Sequence, residues 1–269
     1  NLWNVTISPL LGLPSMDSDR QRVEIALLES VRTPDAYLTE IASHLISAGG
    51  KRLRPVFTIV ASQVGNDNPA SDDAIWGGVS CELVHLGSLY HDDVMDDAPT
   101  RRGVPTAQMI WGNSIAILTG DLLFARASQV GSHLGEESLK LQADTFERLC
   151  LGQLHETIGP SENDDAIAHY IQVMADKTGS LIAASARLGI MLSGAPREYL
   201  EPMAAYGEKV GVAFQLIDDV IDISEAGPSG KTPGTDLRAG VPTLPVLLLR
   251  KAAAAGDAEA VALLALIDG

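Results

Sequence analysis

Leu83-Val84-His85-Leu86-Gly87-Ser88-Leu89-Tyr90-His91-Asp92-Asp93-Val94-Met95-Asp96 is the stretch that decides how this chain folds. Its apolar residues build a helix that ends in three carboxylates, the first and last four residues apart. At about 3.6 residues per turn those two share one helix face, with Asp93 beside them. A second copy lies far downstream, where Val212, Ala213, Phe214, Leu216 and Ile217 lead into Asp218-Asp219-Val220-Ile221-Asp222. Like charges this close repel unless something neutralises them, and hard carboxylate oxygens suit Mg²⁺, which uses one or two carboxylates, waters and phosphate oxygens. A single acidic run is more often a solvated helix face. Two runs that each close an apolar helix point instead to a metal-bridged phosphate site.

Outward from these helices, period-3.6 patterning dominates and alternating strand patterns are missing, so the expected fold is an all-α bundle with a cavity inside it. Helices are expected at about 21–31, 35–48, 52–64, 72–97, 113–131, 137–158, 164–193, 197–224 and 243–254. With 269 residues, 46% of them hydrophobic, the chain is read as a single all-α domain over residues 1–269. It stops soon after a helix, which makes a truncated or incompletely ordered C-terminus an expectation. Nineteen Lys and Arg against 35 Asp and Glu give a formal charge of −16, which argues against nucleic acid and anionic lipid as partners. No run of about 20 apolar residues occurs, and the start lacks a basic segment followed by an apolar one. A cytoplasmic protein without an integral membrane segment is expected. Cys81 and Cys150 sit in apolar helical patterns and read as small buried hydrophobes.

In so acidic a chain, clustered cations are informative. Gly49-Gly50-Lys51-Arg52-Leu53-Arg54-Pro55 places three cations in four positions, and Arg101-Arg102-Gly103 follows the first acidic helix in what reads as an irregular loop. A second loop, Gly227-Pro228-Ser229-Gly230-Lys231-Thr232-Pro233-Gly234, follows the second. Such cations grip phosphate by charge-assisted hydrogen bonds. Two cation patches beside two acidic clamps imply more than one phosphorylated group, one activated by metal as a leaving group and one held by cations alone.

The GGKRLRP segment, the run HDDVMDDAPTRRG at 91–103, Lys177-Thr178, FQLIDDVID at 214–222 and GKTPGTDL at 230–237 stand in the order of the motifs of trans-isoprenyl diphosphate synthases. Over essentially its whole length the chain resembles that family, the polyprenyl synthetases, of the bacterial geranylgeranyl or longer-chain type. The resemblance implies an isoprenoid synthase-type bundle around a central cavity, usually as a homodimer. It implies that Asp92, Asp93, Asp96, Asp218, Asp219 and Asp222 hold about three Mg²⁺ ions per site, with Mn²⁺ a substitute, around an allylic diphosphate. Asp92, Asp96 and Asp218 are the expected direct ligands. Arg101, Lys177 and Lys231 would contact that diphosphate, while Lys51, Arg54, His85 and Arg102 would hold isopentenyl diphosphate. Thr178 and Gln215 would face the reacting carbon.

The implied chemistry is ionisation of dimethylallyl, geranyl or farnesyl diphosphate, condensation with isopentenyl diphosphate, and loss of a proton to give a longer all-trans polyprenyl diphosphate. Gly87 and Ser88, five and four residues before Asp92, are small where short-chain members often place an aromatic, which favours products of C20 or longer. Asp236-Leu237-Arg238-Ala239-Gly240-Val241 departs from the family by lacking a Lys after the Gly, leaving Lys231 and Arg238 to share its work. Two alternatives share the fold: a class I terpene cyclase, which usually has an Asn/Ser/Glu second motif and no isopentenyl site, and a non-catalytic regulatory subunit of a heteromeric synthase.

Overall fold

The computed structural model describes residues 12–65, 68–223, 234–238, 240 and 242–267. In chain order these form α1 (Met16–Ser30), α2 (Ala36–Ser47), α3 (Leu53–Ser62), α4 (Asp72–Met95), β1 (Thr100–Arg101), β2 (Val104–Pro105), α5 (Ala107–Trp111), α6 (Asn113–His133) and α7 (Glu136–Ile158). There follow α8 (Ala166–Met174), a π-helical turn (Ala175–Gly179), α9 (Ser180–Leu192), α10 (Leu200–Ile223), α11 (Thr235–Arg238), α12 (Leu244–Ala254) and α13 (Ala258–Ile267). The fold is all-α, as the periodicity requires. Three differences have local causes. The helix expected over 164–193 passes through the π-helical turn, α5 and α13 are short helices that the patterning left unassigned, and the loop after the first acidic motif is a hairpin. In that hairpin Arg102 and Gly103 both take positive φ, 53° and 80°, the requirement of the primed two-residue turns.

The chain divides into two compact units, one holding the described residues up to Glu147 with Leu181–Gly207, the other Arg148–Ser180 and the described residues from Glu208 onward. In the first unit α4 is the axis. Ser71 caps it, its hydroxyl accepting from Ala74 N at 3.2 Å, and Asp72 and Asp73 complement the helix dipole in the first turn. The helix is buried on most sides through Val79, Leu83, Leu86 and Tyr90, and it packs chiefly against α6, then α3 and α1. Tyr90 ties it to α2, its hydroxyl donating to Ile41 O at 2.7 Å. In the second unit α12 packs against α8 and α13. Among the described residues no helix is long and apolar enough to cross a membrane.

Two sequence expectations change here. Cys81 is buried, its thiol pushed up to about 11 first by desolvation, but Cys150 is exposed on α7 and so is no core residue. Gly87 does not face open space. A Cβ there would stand 2.7 Å from Phe124 Cε1 and 3.0 Å from Gly120 O, so its smallness lets α4 approach α6. Ser88, half-buried, turns its hydroxyl back to His85 O at 2.8 Å. Gly87→Phe is therefore expected to lower the unfolding free energy by about 1–3 kcal/mol, the usual cost of overpacking, as measured by urea unfolding. A Gly87→Phe protein as stable as the parent would mean that residue 87 borders free volume.

Candidate functional site

The first acidic motif closes α4, and its helical geometry persists to the last carboxylate: Asp96 caps the helix in the αR region and its N–H donates to Asp92 O at 2.8 Å. Asp92 and Asp96 thus share one face, Asp92 half-buried and Asp96 exposed, while Asp93 is buried. Arg101 Nε donates to Asp93 Oδ1, and Asp93 Oδ2 is buried without a hydrogen-bond partner. Burial pushes the Asp93 carboxyl above the ordinary aspartate range, with the Arg101 pair acting against that rise. Gln108 Nε2 holds the turn after the motif, donating to Asp93 O at 2.6 Å and to Ala98 O at 3.1 Å.

The hairpin sends its two arginines different ways. Arg101 returns to Asp93, whereas Arg102 Nη1 donates to Leu45 O at 2.7 Å and to Gly49 O, beyond the C-terminus of α2. Arg52, in the left-handed region at φ 52°, caps α3 and is itself buried. It grips Glu24 through both carboxylate oxygens at 2.6 and 2.9 Å and reaches the buried Glu82 at 3.4 Å. Arg54 and Arg102 lack such a match. Desolvation lowers the pKa of Arg54, whose buried Nε has no hydrogen-bond partner, and takes that of Arg102 down to about 10; the Glu82 charge works against both falls, while Arg52, Arg101 and Arg54 add to that of Arg102. His85 lies in the same field. Part of its surface stays accessible, yet burial, followed by the charges of Arg54, Arg102, Arg101 and Arg52, keeps its pKa well below the usual histidine value. The expected isopentenyl residues Arg54, His85 and Arg102 therefore share one cationic environment, and Lys51 is exposed just before Arg52. Arg52, one of the three cations expected to grip phosphate, is instead engaged by Glu24 and Glu82 and holds that environment together from the core.

In the second unit, Asp218 is half-buried while Asp219 and Asp222 are buried. Tyr170 on α8 donates its hydroxyl to Asp219 Oδ2 at 2.5 Å, and Leu244 N approaches the same oxygen at 3.4 Å. Gln215 is half-buried on α10, one turn before Asp219. Lys177 and Thr178 lie in the π-helical turn, where Lys177 Nζ donates to Glu156 Oε2 at 2.5 Å. Lys231 lies outside the described residues. Tyr170 stands 49 positions from its partner, and no local signal in the sequence pairs the two.

Among the described residues no three His, Cys, Asp or Glu side chains already converge as a metal cage. The donors nevertheless fit Mg²⁺. Asp92 and Asp96 offer two accessible carboxylates on one face, which suits an ion that keeps waters and takes phosphate oxygens rather than one enclosed by protein ligands.

Residues 35–265 match the polyprenyl synthetase family. The chain belongs to that family. It is 50% identical over 227 residues to the nonaprenyl diphosphate synthase of Mycobacterium tuberculosis, an alignment covering 84% of this chain and 68% of that one. It is 38% identical over 234 residues to component 2 of the heptaprenyl diphosphate synthase of Geobacillus stearothermophilus, covering 86% and 72%. Among solved structures it resembles the geranylgeranyl pyrophosphate synthase of Corynebacterium glutamicum complexed with calcium and isoprenyl diphosphate, with a TM-score of 0.78, 42% identity and coverage of 89% and 74%. The chain spans about two thirds of the length of the curated relatives it matches. Its class is that of the prenyl-transferring enzymes that make polyprenyl diphosphates, and its fold is the all-α fold of those synthases.

The environment of His85 has a pH signature. An unfolded histidine titrates near pH ~6.5, whereas the folded imidazole resists protonation. Below pH ~6.5 the unfolded state takes up a proton that the folded state refuses, so stability falls as the pH falls. His85→Gln is expected to flatten the stability curve between pH ~7 and ~5 relative to the parent, by at most about 1.4 kcal/mol per pH unit. Parallel urea midpoints across that window check this, and identical slopes would show that His85 titrates normally.

Proposed function

We propose that the chain condenses isopentenyl diphosphate with an allylic diphosphate (dimethylallyl, geranyl or farnesyl) to give a longer all-trans polyprenyl diphosphate, C20 or longer, in an Mg²⁺-dependent reaction. The observation that carries the reading is the contrast within the first unit between an acidic helix end and an arginine cluster short of acid. Arg54 and Arg102 are cations whose charge is disfavoured where they sit, and a multiply charged anion would relieve both. They hold the isopentenyl diphosphate with Lys51. Neutral His85 donates a ring N–H to the same group.

The acidic motifs are assigned to Mg²⁺, with Asp92, Asp96 and Asp218 as direct ligands and Asp93, Asp219 and Asp222 in support. Mg²⁺, when bound, supplies positive charge that favours departure of the diphosphate. Arg101 uses Nε on Asp93 and offers its terminal nitrogens to the allylic diphosphate, while Lys177 leaves Glu156 for the same group and Lys231 joins it. The allylic C–O bond breaks, the isopentenyl double bond attacks the cation to form the new C–C bond, and the resulting cation loses a proton from the adjacent carbon to the released diphosphate, leaving the new double bond. Thr178 and Gln215 turn oxygen dipoles toward the cation.

Product length is assigned to Phe124, which fills the space beside Gly87 and packs on Phe146 with ring centroids 4.5 Å apart. A homodimer is proposed in the cytoplasm. It is supported by the apolar Met109, Ile110, Ile117 and Leu118 exposed on α5 and α6. Because a relative is one component of a heptaprenyl synthase, light scattering on the active protein is the relevant test of assembly. An active monomer would refute the homodimer.

The deciding assay incubates purified chain with Mg²⁺, isopentenyl diphosphate and each allylic primer, then sizes the products. All-trans products of C20 or longer are expected. Asp92→Asn and Asp218→Asn should each lower kcat by on the order of 100-fold or more, the scale of losing transition-state charge stabilisation. Phe124→Ala should lengthen the product. Cyclised hydrocarbon formed without consumption of isopentenyl diphosphate would overturn the synthase in favour of a cyclase.

A further inference from the structure

Lys177 and Thr178 stand in a backbone conformation that is rarely adopted. Between α8 and α9 the hydrogen-bond spacing widens, Ser180 N–H donating to Ala175 O across a π-helical turn. Such turns carry an inserted residue and persist only where their surroundings hold them. Asp176, the residue before Lys177, is buried inside this one. Its carboxylate takes Arg148 Nε on Oδ1 and Gln172 Nε2 on both oxygens at 3.1 and 3.0 Å, and its carbonyl takes Ser180 Oγ at 2.5 Å. Arg148 spans onward from α7 to Glu208 on α10 through Nη1. The backbone is wedged at the same points. A Cβ at Gly152 would stand 2.8 Å from Asp176 Cβ and 3.0 Å from Lys177 N, and one at Gly211 would stand 2.6 Å from Gly179 Cα.

We propose that Arg148, Asp176 and Glu208 are positioning residues that clamp the π-helical turn between α7 and α10 and thereby aim Lys177 and Thr178 at the allylic diphosphate and the reacting carbon. The proposal rests on the roles given to Lys177 and Thr178 under Proposed function. A carboxylate alone cannot do this. The planar guanidinium, bonded through two different nitrogens, fixes Asp176 against Glu208 in one orientation, and a lysine with a single ammonium cannot reproduce that fork. None of the three needs to touch substrate.

The test combines a structural and a kinetic reading of Asp176→Asn, which keeps the shape and removes the charge. Amide hydrogen exchange across residues 175–180 should quicken relative to the rest of α8 and α9. The kcat/KM for the allylic diphosphate should fall on the order of tenfold, the effect expected of a misaimed group, while the KM for isopentenyl diphosphate stays within about twofold. In a Lys177→Ala, Thr178→Ala background the same substitution should cost less than about twofold, because its effect passes through side chains already gone. Arg148→Lys should fall between parent and Asp176→Asn. Glu208→Gln, at the more exposed end of the clamp, should move both readings the same way by less and stands in if Asp176→Asn does not fold. Unchanged exchange in 175–180, or fully additive kinetic losses with the Lys177→Ala, Thr178→Ala pair, would overturn the clamp. An inactive parent whose exchange still responds to Asp176→Asn would overturn the synthase reading and leave the clamp standing.

Discussion

A buried carboxylate at the end of a helix is stable only if it is paired or hydrogen-bonded, and much of the architecture around both acidic motifs follows from that constraint. In each copy the middle aspartate is buried and takes a side-chain partner, and the two copies do so differently. Arg101, returned by the hairpin, answers Asp93 with a charge, and Tyr170 answers Asp219 with a neutral hydroxyl. The hairpin is therefore part of the motif. Its two positive-φ residues, held in place by Gln108 and Thr106 on the carbonyl of Ala98, are what bring a cation back eight positions onto Asp93.

The cations obey the same rule in reverse. Arg52 is buried in the core, and it is stable there because Glu24 takes two of its nitrogens and Glu82 a third. That arrangement uses the acid available nearby. Arg102 is left among carbonyl dipoles and like charges, and Arg54 has a buried Nε with no hydrogen-bond partner, so burial lowers both pKa values while ion pairing raises that of Arg52 above its desolvation cost. Replacing Arg52 would leave Glu82 buried with neither oxygen paired, so the role of Arg52 is structural even though it sits between two residues assigned to substrate.

What was legible in the sequence was whatever repeats with a fixed period or spacing. The helix of α4, its acidic end, the second copy on α10 and the basic segment before α3 are all local patterns, and the structure places each on the expected element. The partners were not legible, because each is chosen by tertiary contact. Nothing near Asp219 points to Tyr170, and nothing near Arg52 distinguishes it from Arg54 until Glu24 and Glu82 arrive from other helices. The π-helical turn escaped for a related reason. Residues 164–193 keep apolar spacing throughout, and a one-residue change in hydrogen-bond register inside a continuous helix leaves little trace in such a pattern.

Gly87 shows the limit most clearly. A small residue on a helix face has two physical meanings, free volume beside it or another backbone against it, and composition alone does not choose between them. The carbonyl of Gly120 and the ring of Phe124 choose the second. Once α4 and α6 approach this closely, bulk is supplied from across the contact: Phe124 stands edge-on to His91 at 5.3 Å between ring centroids and tilted on Phe146 at 4.5 Å. The aromatic missing from positions 87 and 88 of α4 is thus present on α6, facing the same close packing that requires glycine at 87. The volume beyond the first acidic motif is set by where side chains end, not by the helix they start from.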